Sequence, residues 1–150
     1  KLENGLTYFV KSNKKPESIM VGIMQQKGNI HLNIGTPLTS EEIAAAAKCD
    51  KNDRYQLIRH AVDIRVIEGY KLWKNNYIAY DILNHSFKYS DRYSQDEAQH
   101  FIAYMEHQLD TVEPELNRSD LRKHFLEIYA NPVSAKELLT KEKITGGILL

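Results

Sequence analysis

Six histidines and a single cysteine are the side chains of this chain best suited to chemistry: His31, His60, His85, His100, His107, His124 and Cys49. Glu97 and His100 stand three residues apart, with His107 two helical turns further on, so a helix would carry all three on nearly one face. Helical bundles hold paired metal ions with that Glu-x-x-His spacing, but they need a second such element and two more inward carboxylates. The chain offers neither, and the expectation is a polar helix face without metal. Cys49 falls in a polar hinge with no histidine nearby, and no G-x-S-x-G turn exists to strain a serine into a nucleophile. Gly146-Gly147 does not lie between a strand and a helix, as a phosphate cradle would require. No catalytic, cofactor-binding or metal-ligating residue is assigned.

Aromatic crowding is the other chemical signal. Tyr70, Trp73, Tyr77, Tyr80, Phe87, Tyr89 and Tyr93 fall within 24 residues, interleaved with Lys71, Lys74, His85, Lys88 and Arg92. Amphipathic rings favour half-wet sites, so such a set suits a lipid-facing groove, a partner surface or base stacking. Trp73, Tyr77, Tyr80, Tyr89, Arg92 and Tyr93 form the candidate interaction surface. The alternative is that the tyrosines fill gaps between packed helices and keep their hydroxyls at the surface.

Composition narrows the partners. The 150 residues suit one domain or a domain fragment, and 20 basic side chains balance 20 acidic ones. A nucleic-acid binder would normally carry a basic excess, so nucleic acid is not expected. One cysteine permits no internal disulfide, which suits a reducing, cytoplasmic setting. No apolar run approaches the roughly 20 residues that span a bilayer, leaving at most peripheral contact with the inner face of a membrane.

The elements that must position these residues follow from pattern. Residues 27–38, KGNIHLNIGTPL, alternate Ile30, Leu32 and Ile34 with Asn29, His31 and Asn33, the period of a strand opened by Gly28 and stopped by Gly35-Thr36-Pro37. Residues 6–11, LTYFVK, read as a second short strand, and residues 17–25 as a helix or a strand. Thr39-Ser40 with Glu41-Glu42 starts an alanine-rich helix ending near Lys48. Asp53 caps a helix from Arg54 to about Gly69, whose Leu57, Ile58, Ala61, Val62, Ile64, Val66 and Ile67 cover most of its circumference and mark it as the core helix. Ile30, Leu32 and Ile34 are expected to pack on it. Asn75-Asn76 interrupts the pattern before a short helix over residues 77–83. Residues 94–110 form the clearest amphipathic helix, with Ser94 and Glu97 as a capping box. Ser119 caps a helix ending at Asn131-Pro132, Ser134 opens a last one to about Glu142, and residues 143–150 make a frayed tail. The fold class is mainly α with a small β component, an incomplete sheet.

Two family resemblances complete the reading. The segments KGNIHLNIGTPL, YKLWKNNYIAYD and YANPV, in this order, resemble the C-terminal part of bacterial, Bacteroides-like glycerophospholipid acyltransferases, relatives of 1-acylglycerol-3-phosphate acyltransferase, over residues 17–133. The likeness implies the helical part of a membrane-peripheral α/β enzyme of phospholipid biosynthesis that moves an acyl chain from a thioester to a hydroxyl. That chemistry needs H-x-x-x-x-D, a general base with a supporting aspartate. Five residues after the six histidines stand Thr36, Arg65, Ser90, Met105, Val112 and Tyr129, none of them aspartate. The resemblance therefore implies a non-catalytic portion, inactive alone, whose partner is a catalytic half or a second copy. Separately, residues 2–17, LENGLTYFVKSNKKPE, resemble the first strand of pitrilysin-type zinc peptidases, so residues 1–16 read as a foreign or fused segment. His124-Phe125-Leu126-Glu127-Ile128 resembles the zinc helix of that family, but Ile128 stands where the second histidine ligand belongs. A non-catalytic pitrilysin-like domain is the third reading, beside a helical protein- or membrane-interaction module built on residues 70–93.

Overall fold

The computed structural model describes residues 29–112 and 115–144, and the chain divides into two compact units, Lys1–Leu32 and Asn33–Leu150. Of the first unit only residues 29–32 are described, so the expected strand at 6–11, the element at 17–25 and the boundary near residue 16 lie outside the described residues. The 145–150 part of the expected tail does too. The second unit is mainly helical, as the pattern requires: α1 Ser40–Ala47, α2 Lys51–Gly69, α3 Lys74–Leu83, a 3-10 turn Ser90–Arg92, α4 Gln95–Asp110 and α5 Arg118–Ile144.

Local chemistry explains where these helices begin. Thr39 Oγ1 accepts from the Glu42 amide at 3.2 Å while Glu42 Oε2 accepts from the Thr39 amide at 2.7 Å, a reciprocal box that opens α1. The Thr39 amide, and next the Arg65 guanidinium, hold the Glu42 carboxyl below the usual carboxylate range. Ser94 and Glu97 build the same device for α4, as the sequence predicts. Asp50 rather than Asp53 caps α2, its Oδ1 accepting from the amides of Asn52 and Asp53 at 2.8 and 3.0 Å. The helix therefore starts at Lys51, and Asp53 sits in its first turn, where its charge complements the helix dipole. Asn117 takes the place expected of Ser119, accepting from the Ser119 amide at 2.9 Å.

Asn75-Asn76 does not interrupt α3 but begins it. Asn76 Oδ1 accepts from the Trp73 amide at 2.7 Å, and its Nδ2 donates to the Tyr129 carbonyl of α5 at 2.8 Å. That second bond bears on another correction. The two short helices expected on either side of Pro132 are one continuous helix, with Pro132 inside α5. A proline there removes one amide donor and crowds the preceding turn. The helix survives because its buried residues bracket the proline: Leu126 and Ala130 before it, Val133 and Leu139 after it. In the turn that the proline disturbs, the Tyr129 carbonyl is met by Asn76, and Ile128, four residues before the proline, is exposed to water.

The core lies elsewhere than the sequence suggests. Ile78 and Ala79 of α3, Phe101, Met105 and Leu109 of α4, and Leu126 and Ala130 of α5 form one buried cluster. α2, expected to be the core helix, has no buried residue. Its apolar side chains point all round, but among the described helices it packs on α1 and α5 alone, so Ile58, Ala61, Ile64 and Ile67 are half-buried while Tyr55, Leu57, Val62 and Val66 stay exposed.

The strand expected at 27–38 is not found in its described part, from residue 29 on. Residues 29–39 carry neither helix nor strand, and Ile30, Leu32 and Ile34, expected to be packed away, are 78%, 82% and 88% exposed. No strand exists among the described residues to pair with this stretch, and alternation without a partner fixes nothing. What reaches α2 is Asn33 and Thr36. The Asn33 side chain lies on Gly69, where a β-carbon would fall 2.0 Å from its Nδ2, and Arg65 Nε donates to Thr36 Oγ1 at 3.3 Å.

Candidate functional site

α3 sends Tyr77, Tyr80 and Asp81 toward the segment that follows it. The chain reverses at Asn84 and His85, where His85 adopts the left-handed conformation with φ 49°. Any residue with a β-carbon is strained there. Replacing His85 with glycine relieves that strain, roughly 1–2 kcal/mol, against an entropic cost of about 0.5–1 kcal/mol. H85G is expected to raise the urea midpoint slightly, and a lowered midpoint would show that the imidazole contributes contacts of its own.

Asp81 then organises the returning segment. It is 2% exposed, and its carboxylate accepts from Ser86 Oγ at 2.6 Å, the Tyr89 amide at 3.0 Å and the Tyr93 hydroxyl at 2.9 Å. The Ser86 amide adds a bond to the Asp81 carbonyl at 2.9 Å. Burial, then the bond to Asp81, pushes the Tyr93 hydroxyl up to about 12, so Tyr93 remains a donor at neutral pH.

Across from this loop, Tyr89 packs on Tyr77 and edge-on to Tyr80, with ring centroids 4.9 and 5.3 Å apart. Its hydroxyl donates to Glu137 of α5, which also accepts from Lys88 Nζ at 2.6 Å and from the Tyr80 hydroxyl at 3.3 Å. Lys88 lies over the Tyr80 and Tyr89 rings, 5.5 and 5.3 Å from their centroids. Burial, then Glu137, pushes the Tyr89 hydroxyl up to about 12. Burial alone would raise the Glu137 carboxyl, but Lys88 and Tyr89 together outweigh it and hold it below the usual range.

That direction fixes a pH dependence. Because the folded value of Glu137 lies under its ordinary 4.5, its contribution to stability is present above that pH and is lost as pH falls through the folded value. E137Q is expected to cost about 1 kcal/mol at neutral pH, the half-exposed Lys88 limiting the loss. In urea melts across pH, the gap between wild type and E137Q should close below about pH 4.5. A gap that persists unchanged in acid would mean that the charge of Glu137 contributes nothing.

Of the six residues expected to form an interaction surface, Tyr77, Tyr80 and Tyr89 come together, and Tyr93 joins them through Asp81 and the Tyr89 backbone. Trp73 stands at the start of α3 with Lys71 Nζ 4.3 Å from its ring centroid. Arg92 is exposed and pairs with its neighbour Asp91 at 3.4 Å. Asp81, Ser86 and Glu137 are the residues that the sequence reading passed over. Asp81 left one signal: it lies three residues after Ile78 and one before Ile82, a carboxylate on the apolar face of a helix.

A groove of about 790 Å³ runs beside Asp81 between α3, the 85–93 segment and α4. Ile78, Ile82, Ala98 and Ile102 form its walls, and Phe87, 85% exposed, stands at its rim. A smaller hollow of about 250 Å³ includes Glu97 and His100, the pair with metal-ligand spacing. Glu97 is already committed to Lys74 Nζ at 2.5 Å and to the Ser94 amide at 2.9 Å, and Lys74 and Ser94 lower its carboxyl. His100 faces Asp96 at 3.3 Å, and His124 pairs with Glu127 of its own helix at 3.0 Å. Among the described residues no three histidine, cysteine, aspartate or glutamate side chains gather as metal ligands, and no helix is long and apolar enough to cross a membrane.

A second surface lies on α2. Tyr55, Val62 and Val66, seven and then four residues apart, fall on one stripe of the helix and are 63%, 41% and 48% exposed. No protein-family model, curated protein or solved structure matches this chain.

Proposed function

We propose that this chain is a non-catalytic helical part of a larger assembly, docking through the outer stripe of α2 onto the sheet-bearing unit of an acyl-transfer enzyme. The observation that supports it is α2 itself, a 19-residue helix that is apolar on most sides and has no buried residue. A helix of that pattern normally has cover on more than one side, and contiguous exposed apolar surface marks a site of association. Arg65 ties α2 to α1, donating to both Glu42 oxygens at 2.8 and 2.9 Å and, within its own helix, to the Ala61 carbonyl at 2.7 Å. The identity of the sheet-bearing unit rests on the resemblance of residues 17–133 to glycerophospholipid acyltransferases, and the cytoplasmic setting on the single cysteine.

Two measurements test this reading. Sedimentation velocity at rising concentration should show reversible self-association of the isolated chain, suppressed in V62E/V66E, since an uncovered apolar stripe finds the best cover available. A chain that stays monomeric throughout would overturn the docking surface. An acyl-transfer assay with acyl-CoA and lysophosphatidic acid should show no turnover above background, and clear turnover would overturn the non-catalytic assignment.

A further inference from the structure

The Asp81 groove lies on α3 and α4, apart from the outer stripe of α2, and what stands out in it is a charge without a counter-charge. The three groups that Asp81 accepts from, the Ser86 hydroxyl, the Tyr89 amide and the Tyr93 hydroxyl, are all neutral. No ion pair among the described residues includes Asp81, although it is 2% exposed. The lysine and arginine of the returning segment serve other anions: Lys88 is held by Glu137 and Arg92 pairs with Asp91. A buried carboxylate usually has a cationic partner, because neutral hydrogen bonds offset only part of its lost hydration. Three donors fix its orientation and leave its negative charge in place.

The surroundings say what kind of cation fits. Ile78, Ile82, Ala98 and Ile102 make the groove apolar, which suits a hydrocarbon body and gives a hydrated metal ion little to bind. Tyr93 and Phe87 also line the groove, and aromatic rings attract an organic cation electrostatically. A volume of about 790 Å³ accommodates a small molecule. An anionic ligand would meet the Asp81 carboxylate, and neither a lysine nor an arginine lines the groove to offset it.

We propose that the groove between α3, the 85–93 segment and α4 binds a small organic monocation, an alkyl- or arylammonium whose apolar body lies along Ile78, Ile82 and Ile102 and whose charged end is directed to Asp81. Selectivity for charge follows from the carboxylate, and selectivity for an apolar body from the walls. The site does not depend on docking through α2, so either can fail without the other.

The test uses the full chain, titrated with 2-phenylethylammonium and, as a neutral molecule of the same shape, 2-phenylethanol, followed by amide chemical shifts. The ammonium should bind about tenfold or more tightly than the alcohol, the increment expected of one charge-assisted contact. Its shifts should centre on Ser86, Phe87 and Ala98. Equal affinities, or shifts centred away from these residues, would overturn the proposal. I102W fills the groove from a wall position that is 40% exposed and so leaves the fold intact by circular dichroism. It should abolish ammonium binding, and binding that survives in folded I102W would place the ligand elsewhere and sink the assignment.

Discussion

Replacing Asp81 with alanine is expected to cost about 3–4 kcal/mol of stability, because three donors lose their acceptor at once: the Ser86 hydroxyl, the Tyr89 amide and the Tyr93 hydroxyl. Each buried donor left without a partner costs roughly 1–3 kcal/mol. Half-buried Ser86 and Tyr93 recover part of this by reaching water, and deleting an uncompensated carboxylate returns some desolvation energy, which sets the total near the lower end. Two companion variants separate charge from hydrogen bonding. D81N keeps an oxygen for part of the network and removes the charge, so it should cost less than about 1.5 kcal/mol, while S86A removes one donor of the three and should cost about 1 kcal/mol. Urea unfolding measures all three, and in a chain of this length D81A should also lower Tm by about 10 °C. The helices should persist by far-ultraviolet circular dichroism, with protease sensitivity rising in the 84–93 segment. A D81A protein within about 0.5 kcal/mol of wild type would mean that the carboxylate does not hold the loop.

Phe101→Ala is expected to be the most damaging single truncation in the helical core, at about 3–5 kcal/mol. Phe101 is 3% exposed, and its ring meets Tyr129 edge-on at 5.2 Å and Phe125 at 6.1 Å, so α4 and α5 lose both apolar burial and an aromatic pairing. The contrast with α2 makes this a test of where the core lies. Val62, 41% exposed on α2, should lose less than about 0.5 kcal/mol on truncation to alanine. Urea melts with unchanged slopes would give both values directly. If V62A cost as much as F101A, α2 would be the core helix after all.

These variants track what could be read from the chain without its structure. The capping box at Ser94/Glu97 and the helix start at Thr39-Ser40 were legible because they involve residues a few positions apart, and nothing distant competes with them. The Phe101, Met105 and Leu109 stripe of α4 was legible for the same reason, one amphipathic face set by local periodicity. α2 was misread because apolar content states what a helix can bury, while burial depends on how many neighbours reach it. Pro132 was misread as a terminus because its local cost is real, and what offsets it is the burial of Leu126, Ala130, Val133 and Leu139 on either side of it, which depends on packing against elements far away in the chain.

The candidate site divides the same way. The aromatic run over residues 70–93 was visible, and three of its six expected members do meet. Glu137, one of the two acids that organise it, was not visible, since it reaches Lys88 and Tyr89 from across 49 and 48 residues. No spacing rule covers such a distance.

The sequence by itself determined the helical class, the helix starts to within a few residues, and the chemistry available, because caps and periodicity act within one or two turns. The tertiary structure alone decided which helix is central, that α5 runs through its proline, and that Asp81 sits under three neutral donors beside an apolar groove. Those outcomes depend on contacts between elements far apart in the chain. Burial and the satisfaction of buried polar groups belong to the packed unit as a whole, and only there does a single carboxylate acquire its role.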